Sequence, residues 1–237
     1  MSVYVLIAGS WHGAWCWERV TPPLTSRGHQ VRTPDLPATG ADTTDPKQAT
    51  LPSWARFVAD LVEREREEVI LVGHSRGGIV ISQAAELVPE RVRRLVYVSA
   101  YLLPNGATLA DAARADTDSL VTPNMVPASA GVTCMLRADI VRAALYTRCS
   151  DADAAWATGR LWPEPLKPLV TPLRLSAGRF GRVPRVYIEC SADRAVTPAA
   201  QRAMQAALPC ESVFALDTDH SPFLSRPAGL AELLAGL

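Results

Sequence analysis

The chain carries its most informative stretch at residues 69–78: Val69-Ile70-Leu71-Val72-Gly73-His74-Ser75-Arg76-Gly77-Gly78. An apolar, β-branched strand runs directly into a Gly-x-Ser-x-Gly pattern, and a helical pattern begins at once. This order is typical of a nucleophile elbow, a sharp strand-to-helix turn that exposes a serine hydroxyl at the top of a sheet. Glycine suits positions 73 and 77 because strand and helix press together there and leave little room for a Cβ. Ser75 is therefore a candidate nucleophile; the alternative is an ordinary strand-to-helix loop.

On either side of this stretch, short apolar strands alternate with helical patterns, which is typical of a parallel sheet covered on both faces. The predicted strands are 2–8, 29–34, 68–73, 94–100, 184–190 and 212–217. The predicted helices are 14–27, 51–66, 76–87, 197–207 and a last one from about residue 227. We therefore expect an α/β fold with a mostly parallel sheet of about six strands flanked by helices.

Residues 103–182 interrupt this alternation. They contain helical fragments, two tryptophans and a proline-dense run at residues 162–168. Such a stretch is too long for a simple connection between a strand and a helix. We expect a mainly helical cap over the carboxyl edge of the sheet, where α/β proteins bind ligands; the alternative is an insertion that packs elsewhere. The predicted division is a first core part at 1–102, the cap at 103–182 and a second core part at 183–237.

Composition excludes several classes of function. The 237 residues are 48% hydrophobic, with zero formal net charge and no strongly basic patch, which argues against a nucleic-acid partner. No apolar run approaches the ~18 residues of a membrane span, and no charged leader precedes the first strand. We expect a soluble, cytoplasmic protein without a membrane partner. A homodimer is compatible with the sequence, which does not determine the oligomeric state.

Cysteines and histidines form no recognisable metal or disulfide pattern. The five cysteines are scattered without a Cys-x-x-Cys pair. The four histidines are dispersed, and none has a ligand-like partner three or four residues away. We therefore expect buried free thiols, no metal and no cofactor.

A serine nucleophile needs a base to take its proton and an acid to orient that base. In enzymes with such an elbow, the chain order is serine, acid, histidine. His220 is the one histidine after Ser75, and it follows the last predicted strand. Asp193 follows the preceding strand and is the preferred acid. Asp217 is the alternative, whereas Asp219 is disfavoured because neighbouring residues seldom point a carboxylate and an imidazole at each other.

The oxyanion of a tetrahedral intermediate needs two backbone N–H donors, one after the nucleophile and one from the loop after the first strand. Arg76 supplies the first, at a helix N-terminus where the dipole also favours negative charge. Ser10 is the preferred second donor, because Gly9 permits the backbone to turn that N–H inward. The glycines of this loop also fit a simple turn, and the two interpretations are compatible.

Further motifs lie outside the elbow: Gly9-Ser10-Trp11-His12-Gly13-Ala14-Trp15-Cys16-Trp17, Pro34-Asp35-Leu36, Ala144-Leu145-Tyr146, residues 184–194 and Asp219-His220-Ser221-Pro222. Together with the elbow, they resemble the plant methylesterase and hydroxynitrile lyase branch of the α/β-hydrolase superfamily, and related bacterial carboxylesterases. The resemblance covers nearly the whole chain. It implies an α/β-hydrolase fold, a cap over a mostly apolar pocket, and Ser75, Asp193 and His220 as the triad.

Two positions separate the chemistries within this branch. The lyases carry a threonine directly after the first strand and a lysine directly after the catalytic histidine, whereas this chain has Gly9 and Ser221. The resemblance therefore favours a serine carboxylic-ester hydrolase that forms an acyl-enzyme from a small apolar or aromatic ester. The alternatives are a lyase or tailoring enzyme that uses the same triad on a carbon–carbon or lactone bond, and a non-catalytic small-molecule binding module.

The residues that line the pocket are harder to predict, because an aromatic side chain in a small cap usually serves packing. His12 in particular fits a hydrogen-bonded structural role as well as the pocket mouth. The candidates are Gly9, Trp11, His12, Met125, Tyr146, Trp156 and Trp162.

Overall fold

The strands of the computed structural model, which describes residues 1–237, are β1 Val3–Ile7, β2 Gln30–Arg32, β3 Val69–His74, β4 Val92–Val98, β5 Met125–Ala128, β6 Thr133–Leu136, β7 Glu164–Pro165, β8 Arg185–Cys190 and β9 Ser212–Leu216. Six of them form one parallel sheet in the order β2-β1-β3-β4-β8-β9. These are the six predicted strands, so the predicted sheet is confirmed. The elbow strand β3 lies near the middle of the sheet.

The helices are α1 Thr21–Thr25, α2 Leu51–Arg64, α3 Gly77–Leu87, α4 Leu109–Ala115, α5 Ala138–Leu145, α6 Asp151–Thr158, α7 Leu166–Leu169, α8 Pro198–Ala207, α9 Pro222–Ser225 and α10 Pro227–Ala235. The prediction of one helix over 14–27 is wrong. A short 3-10 helix at Ala14–Trp17 precedes α1 instead. Pro22 and Pro23 have no N–H to donate backwards, so α1 cannot extend towards the 3-10 helix.

The sheet separates two apolar cores, and β1 shows how the sequence divides between them. Val5 and Ile7 face one core, whereas Tyr4 and Leu6 face the other. All five residues of β1 are buried, as expected for a strand covered on both faces. The helix α2 begins at a capping box between Thr50 and Ser53 and buries its apolar face in the first of these cores.

The insertion between β4 and β8 contains four helices, α4 to α7, and a three-stranded antiparallel sheet in the order β5-β6-β7. The sequence did not predict this small sheet. Its strands are two to four residues long, which is below the length at which alternation is recognisable. Pro127 and Pro165 further interrupt the alternation of apolar and polar residues. Both lie in edge strands, where a missing N–H donor is tolerated.

The helices of the chain are short for a bilayer. None of them is both long enough and apolar enough to span a membrane.

Candidate active site

The predicted elbow forms a sharp turn between β3 and α3. Ser75 has a left-handed backbone with φ of 51°, a conformation that non-glycine residues keep only when the surroundings stabilise it. Its N–H donates to the Val98 carbonyl at 3.2 Å, and its carbonyl accepts from the Tyr101 N–H at 3.1 Å. A Cβ on Gly73 would lie 2.7 Å from the carbonyl group of Gly77. Glycine is therefore required where the strand and the helix touch.

Asp193 and His220 meet at the carboxyl ends of β8 and β9. His220 Nδ1 lies 2.8 Å from Asp193 Oδ2, and both side chains are buried. A neutral imidazole that donates from Nδ1 leaves Nε2 unprotonated and able to accept a proton. Ser75 and His220 line the same cavity. The fold thus brings together the three residues that the sequence assigned to a triad.

The alternative acids lie in other surroundings. The Asp217 side chain is 78% exposed, and its Oδ1 lies 3.7 Å from the guanidinium of Arg148. Asp219 is buried, but it accepts from the Arg148 N–H at 2.7 Å and from the Ser225 hydroxyl at 2.8 Å. The His220 ring thus has Asp193 as its carboxylate partner.

Asp193 is held by four donors besides the imidazole. The backbone N–H groups of Ala195 and Val196 donate to Oδ1 at 2.7 and 3.0 Å. The Ser99 hydroxyl and the Gln201 amide donate to Oδ2. These hydrogen bonds fix the orientation of the carboxylate. Ser99 and Gln201 share no recognisable motif with Asp193 or His220, so the sequence did not predict them.

The two predicted oxyanion donors are unpaired in the structure. Neither the Ser10 N–H nor the Arg76 N–H donates to an acceptor of the chain. Arg76 is the residue before the first turn of α3, and N–H groups at that end of a helix have no intrahelical acceptor. Neither N–H group is thus committed to a hydrogen bond within the protein.

The loop at residues 9–13, here called the oxyanion loop, contacts a buried ion pair. Arg76 Nε lies 2.8 Å from Glu164 Oε1, and both side chains are 1% exposed. Arg76 Nη2 donates to the Gly9 carbonyl at 3.0 Å, and the Trp11 N–H donates to Glu164 Oε2 at 3.1 Å. Burial raises the pKa of the Glu164 carboxyl, and the nearby Arg76 charge opposes that rise. No sequence motif marks Glu164, a single acid within a proline-dense apolar run.

Two further histidines lie behind the loop. His12 contacts the Ser10 carbonyl through Nδ1 and the Tyr146 hydroxyl through Nε2, each at 2.8 Å. His74 Nε2 lies 2.7 Å from the His220 carbonyl. Burial lowers the pKa of His12 to about 3 and that of His74 well below its usual range. Both rings are therefore neutral at physiological pH, and His12 donates from Nδ1 while it accepts at Nε2.

A cavity of about 40 Å³ lies in front of Ser75 and His220. Its walls come from both the core and the insertion, and they are mostly apolar: Trp11, Tyr101, Leu109, Val121, Met125 and Leu169. Trp11 and Met125 were predicted pocket residues. Tyr101 also lines a larger groove of about 430 Å³ between α4 and α8.

Five other pocket candidates do not line this cavity. His12 and Tyr146 are buried partners in the core behind the oxyanion loop. Trp156 packs edge-on against Trp15, and Trp162 is 51% exposed. Gly9 lies beneath the elbow, where a Cβ would be 2.8 Å from the Ser75 Cβ. The wall of this cavity therefore omits these five predicted positions. Aromatic composition does not reveal which side of the insertion Tyr146, Trp156 and Trp162 face.

The chain belongs to the alpha/beta hydrolase family, whose model matches residues 4–233. Methylesterase 7 of Arabidopsis thaliana is 30% identical over 98% of this chain and 94% of its own length. Some other plant methylesterases are longer, and the chain spans 55% of the length of two of them.

Solved structures share the fold over almost the whole chain. A pyrethroid hydrolase from Sphingobium faniae has a TM-score of 0.86 and 28% identity, with 99% of this chain and 96% of that chain covered. Tomato methylketone synthase I has a TM-score of 0.88 and 25% identity, with the same coverage. The methylesterase and pyrethroid hydrolase relatives indicate that the chain is a carboxylesterase-type hydrolase.

Proposed function

We propose that the chain hydrolyses small carboxylic esters through an acyl-enzyme on Ser75. The observation that carries this proposal is the 2.8 Å contact between His220 Nδ1 and Asp193 Oδ2, with Ser75 and His220 on one cavity. In the first step, His220 Nε2 takes the hydroxyl proton while Ser75 Oγ bonds to the ester carbonyl carbon. The same proton then passes to the departing alcohol.

The second half of the reaction repeats the chemistry with water as nucleophile. His220 takes a proton from water, hydroxide adds to the acyl carbon, and the proton returns to Ser75 as the carboxylic acid leaves. In both halves the carbonyl oxygen gains negative charge. The free N–H groups of Ser10 and Arg76 are proposed to bind that charge. Asp193 keeps the imidazole in the tautomer that accepts at Nε2.

The cavity wall supports a neutral, apolar or aromatic ester as substrate. No acidic side chain and no lysine or arginine lines the cavity, so a charged substrate would lose its hydration without gaining a counter-ion. The small volume favours a short acyl group. We further propose that residues 103–182 act as a cap on this cavity, and that the protein is cytoplasmic and has no nucleic-acid partner; a homodimer stays compatible with the sequence.

The test is hydrolysis of p-nitrophenyl acetate and butyrate by wild type, Ser75→Ala and the surface variant Ser26→Ala. We expect a rate loss of about a thousandfold or more for Ser75→Ala and none for Ser26→Ala. Mass spectrometry of wild type under rapid quench should find one acyl group on Ser75. Full activity in Ser75→Ala contradicts the proposal. Cyanohydrin cleavage without ester turnover supports the lyase, and tight ligand binding without turnover supports a binding module.

A further inference from the structure

We propose that Arg76 and Glu164 are a positioning pair through which the cap holds the oxyanion loop in its catalytic shape. This inference rests on the proposed esterase function. Neither side chain lines the cavity, so neither is proposed to touch the substrate.

Arg76 acts on both oxyanion donors at once. Its own backbone N–H is one donor. Its guanidinium holds the other, because Nη2 donates to the Gly9 carbonyl at 3.0 Å. The Gly9 carbonyl and the Ser10 N–H belong to one planar trans peptide and point in opposite directions. Fixing that carbonyl against the guanidinium therefore turns the Ser10 N–H away from the guanidinium, and Ser10 lines the cavity.

The next peptide of the loop is held at both ends. Its carbonyl, on Ser10, accepts from His12 Nδ1 at 2.8 Å. Its N–H, on Trp11, donates to Glu164 Oε2 at 3.1 Å. Trp11 has φ of 64°, which a bulky side chain adopts only under external constraint. Besides the internal contact from His12, the loop thus depends on partners outside itself for its shape.

Those partners come largely from the cap. Glu164 lies in β7, and its two oxygens contact Arg76 and the Trp11 N–H separately. The Trp162 N–H donates to the Trp11 carbonyl at 2.8 Å. The Trp11 indole donates to the Cys134 carbonyl in β6 at 3.1 Å. Displacement of the small cap sheet would therefore release the oxyanion loop, and the seating of the cap is linked to the ability to stabilise an oxyanion.

The experiment must remove the pair without leaving one buried charge alone, because an unpaired buried charge destabilises the whole protein. The double variant Arg76→Met with Glu164→Met replaces both side chains by apolar ones of similar length and keeps the backbone N–H of residue 76. Replacement of a buried ion pair in this way is often neutral for stability. The matched control is Glu189→Gln, which alters a buried carboxylate paired with Arg202 away from the loop.

We expect the double variant to fold and to lose about 10- to 100-fold in kcat, with KM changed by less than about threefold, because the interaction is made in the transition state. The affinity of a trifluoromethyl ketone, which Ser75 converts to an anionic hemiketal, should fall by the same factor. The affinity of an unreactive alcohol product should not. Glu189→Gln should match wild type in kcat, in KM and in both affinities.

A double variant that keeps kcat and ketone affinity within about twofold of wild type overturns the inference. If kcat stays near the wild-type value and only the melting temperature changes, the pair has a purely structural role, which also overturns the inference. Failure of the proposed function looks different, since it would leave Ser75→Ala as active as wild type.

Discussion

His74 lies with its Nε2 2.7 Å from the backbone carbonyl of His220 and its ring centroid 4.6 Å from the His220 ring. The residue before the candidate nucleophile thus holds the loop that carries the candidate base. This contact helps to set the elbow and the β9 loop relative to each other.

Replacement of His74 by glutamine should therefore reduce catalysis while the three candidate catalytic residues stay unchanged. We expect kcat to fall about tenfold or more, because a small misplacement of the base is costly in rate. Loss of the packed ring should also lower the free energy of unfolding by about 1–3 kcal/mol. Steady-state kinetics together with urea unfolding separate the two effects. Unchanged kcat in a destabilised variant would refute a positioning role.

Stability should fall in acid because of the buried histidines. The folded pKa of His12 is about 3, below its usual 6.5, so between these values the unfolded chain binds a proton that the folded chain does not. The unfolding free energy then decreases as pH falls through this window, by up to about 1.4 kcal/mol per pH unit for each such histidine. His74 adds in the same direction. Urea titrations at pH 7.5, 6.5 and 5.5 measure the slope of the unfolding free energy against pH. His12→Gln should reduce this slope by the contribution of about one proton. An unchanged slope in that variant contradicts the burial of a neutral His12 ring.

Asp193→Asn distinguishes the preferred acid from its alternative. The amide cannot hold the imidazole in the required tautomer, and we expect kcat to fall about 1,000- to 10,000-fold. Asp217→Asn is the matched control at an exposed carboxylate and should keep nearly full activity. The reverse order of the two effects would assign the acid to Asp217.

Gly9→Ala tests the close packing beneath the elbow. The new methyl would lie 2.7 Å from His74 Nδ1 and 2.8 Å from the Ser75 Cβ. We expect a loss of about 1–3 kcal/mol in unfolding free energy, with a large loss of activity. Gly178→Ala is the control, because nothing lies within 4 Å of its Cβ position. Thermal melting and ester turnover should leave that control unchanged; equal behaviour of the two variants would argue against the contact.

Tyr101→Ala should widen substrate range. Tyr101 lines both the small cavity at Ser75 and the larger groove between α4 and α8, and its contact with Ser75 is through the backbone. Opening this wall should raise kcat/KM for p-nitrophenyl octanoate relative to acetate by about tenfold, which corresponds to about two further buried methylenes at about 0.8 kcal/mol each. Parallel kinetics with a chain-length series measure the ratio, and an unchanged ratio shows that the groove does not receive the acyl chain.

The sequence predicted the sheet well because buried parallel strands have strong apolar periodicity, as at β3 and β8. It also placed His220 and Asp193 near Ser75, because parallel strands present their carboxyl ends at one edge. It did not predict the role of Glu164 or the orientation of the aromatic residues in the insertion. Their positions depend on how the insertion packs against the core, and the local residue pattern does not determine that packing.

The order of strands has a consequence for how the protein loses function. The His220 loop follows β9, which is the margin of the sheet and pairs only with β8. The Ser75 turn, by contrast, follows a strand with neighbours on both sides. Strands at a margin open more readily than those inside. Mild denaturant should therefore abolish ester turnover at a lower concentration than the one that changes the fluorescence of the buried tryptophans. Ester turnover then reports the integrity of the β9 edge of the sheet, and tryptophan fluorescence reports that of the interior.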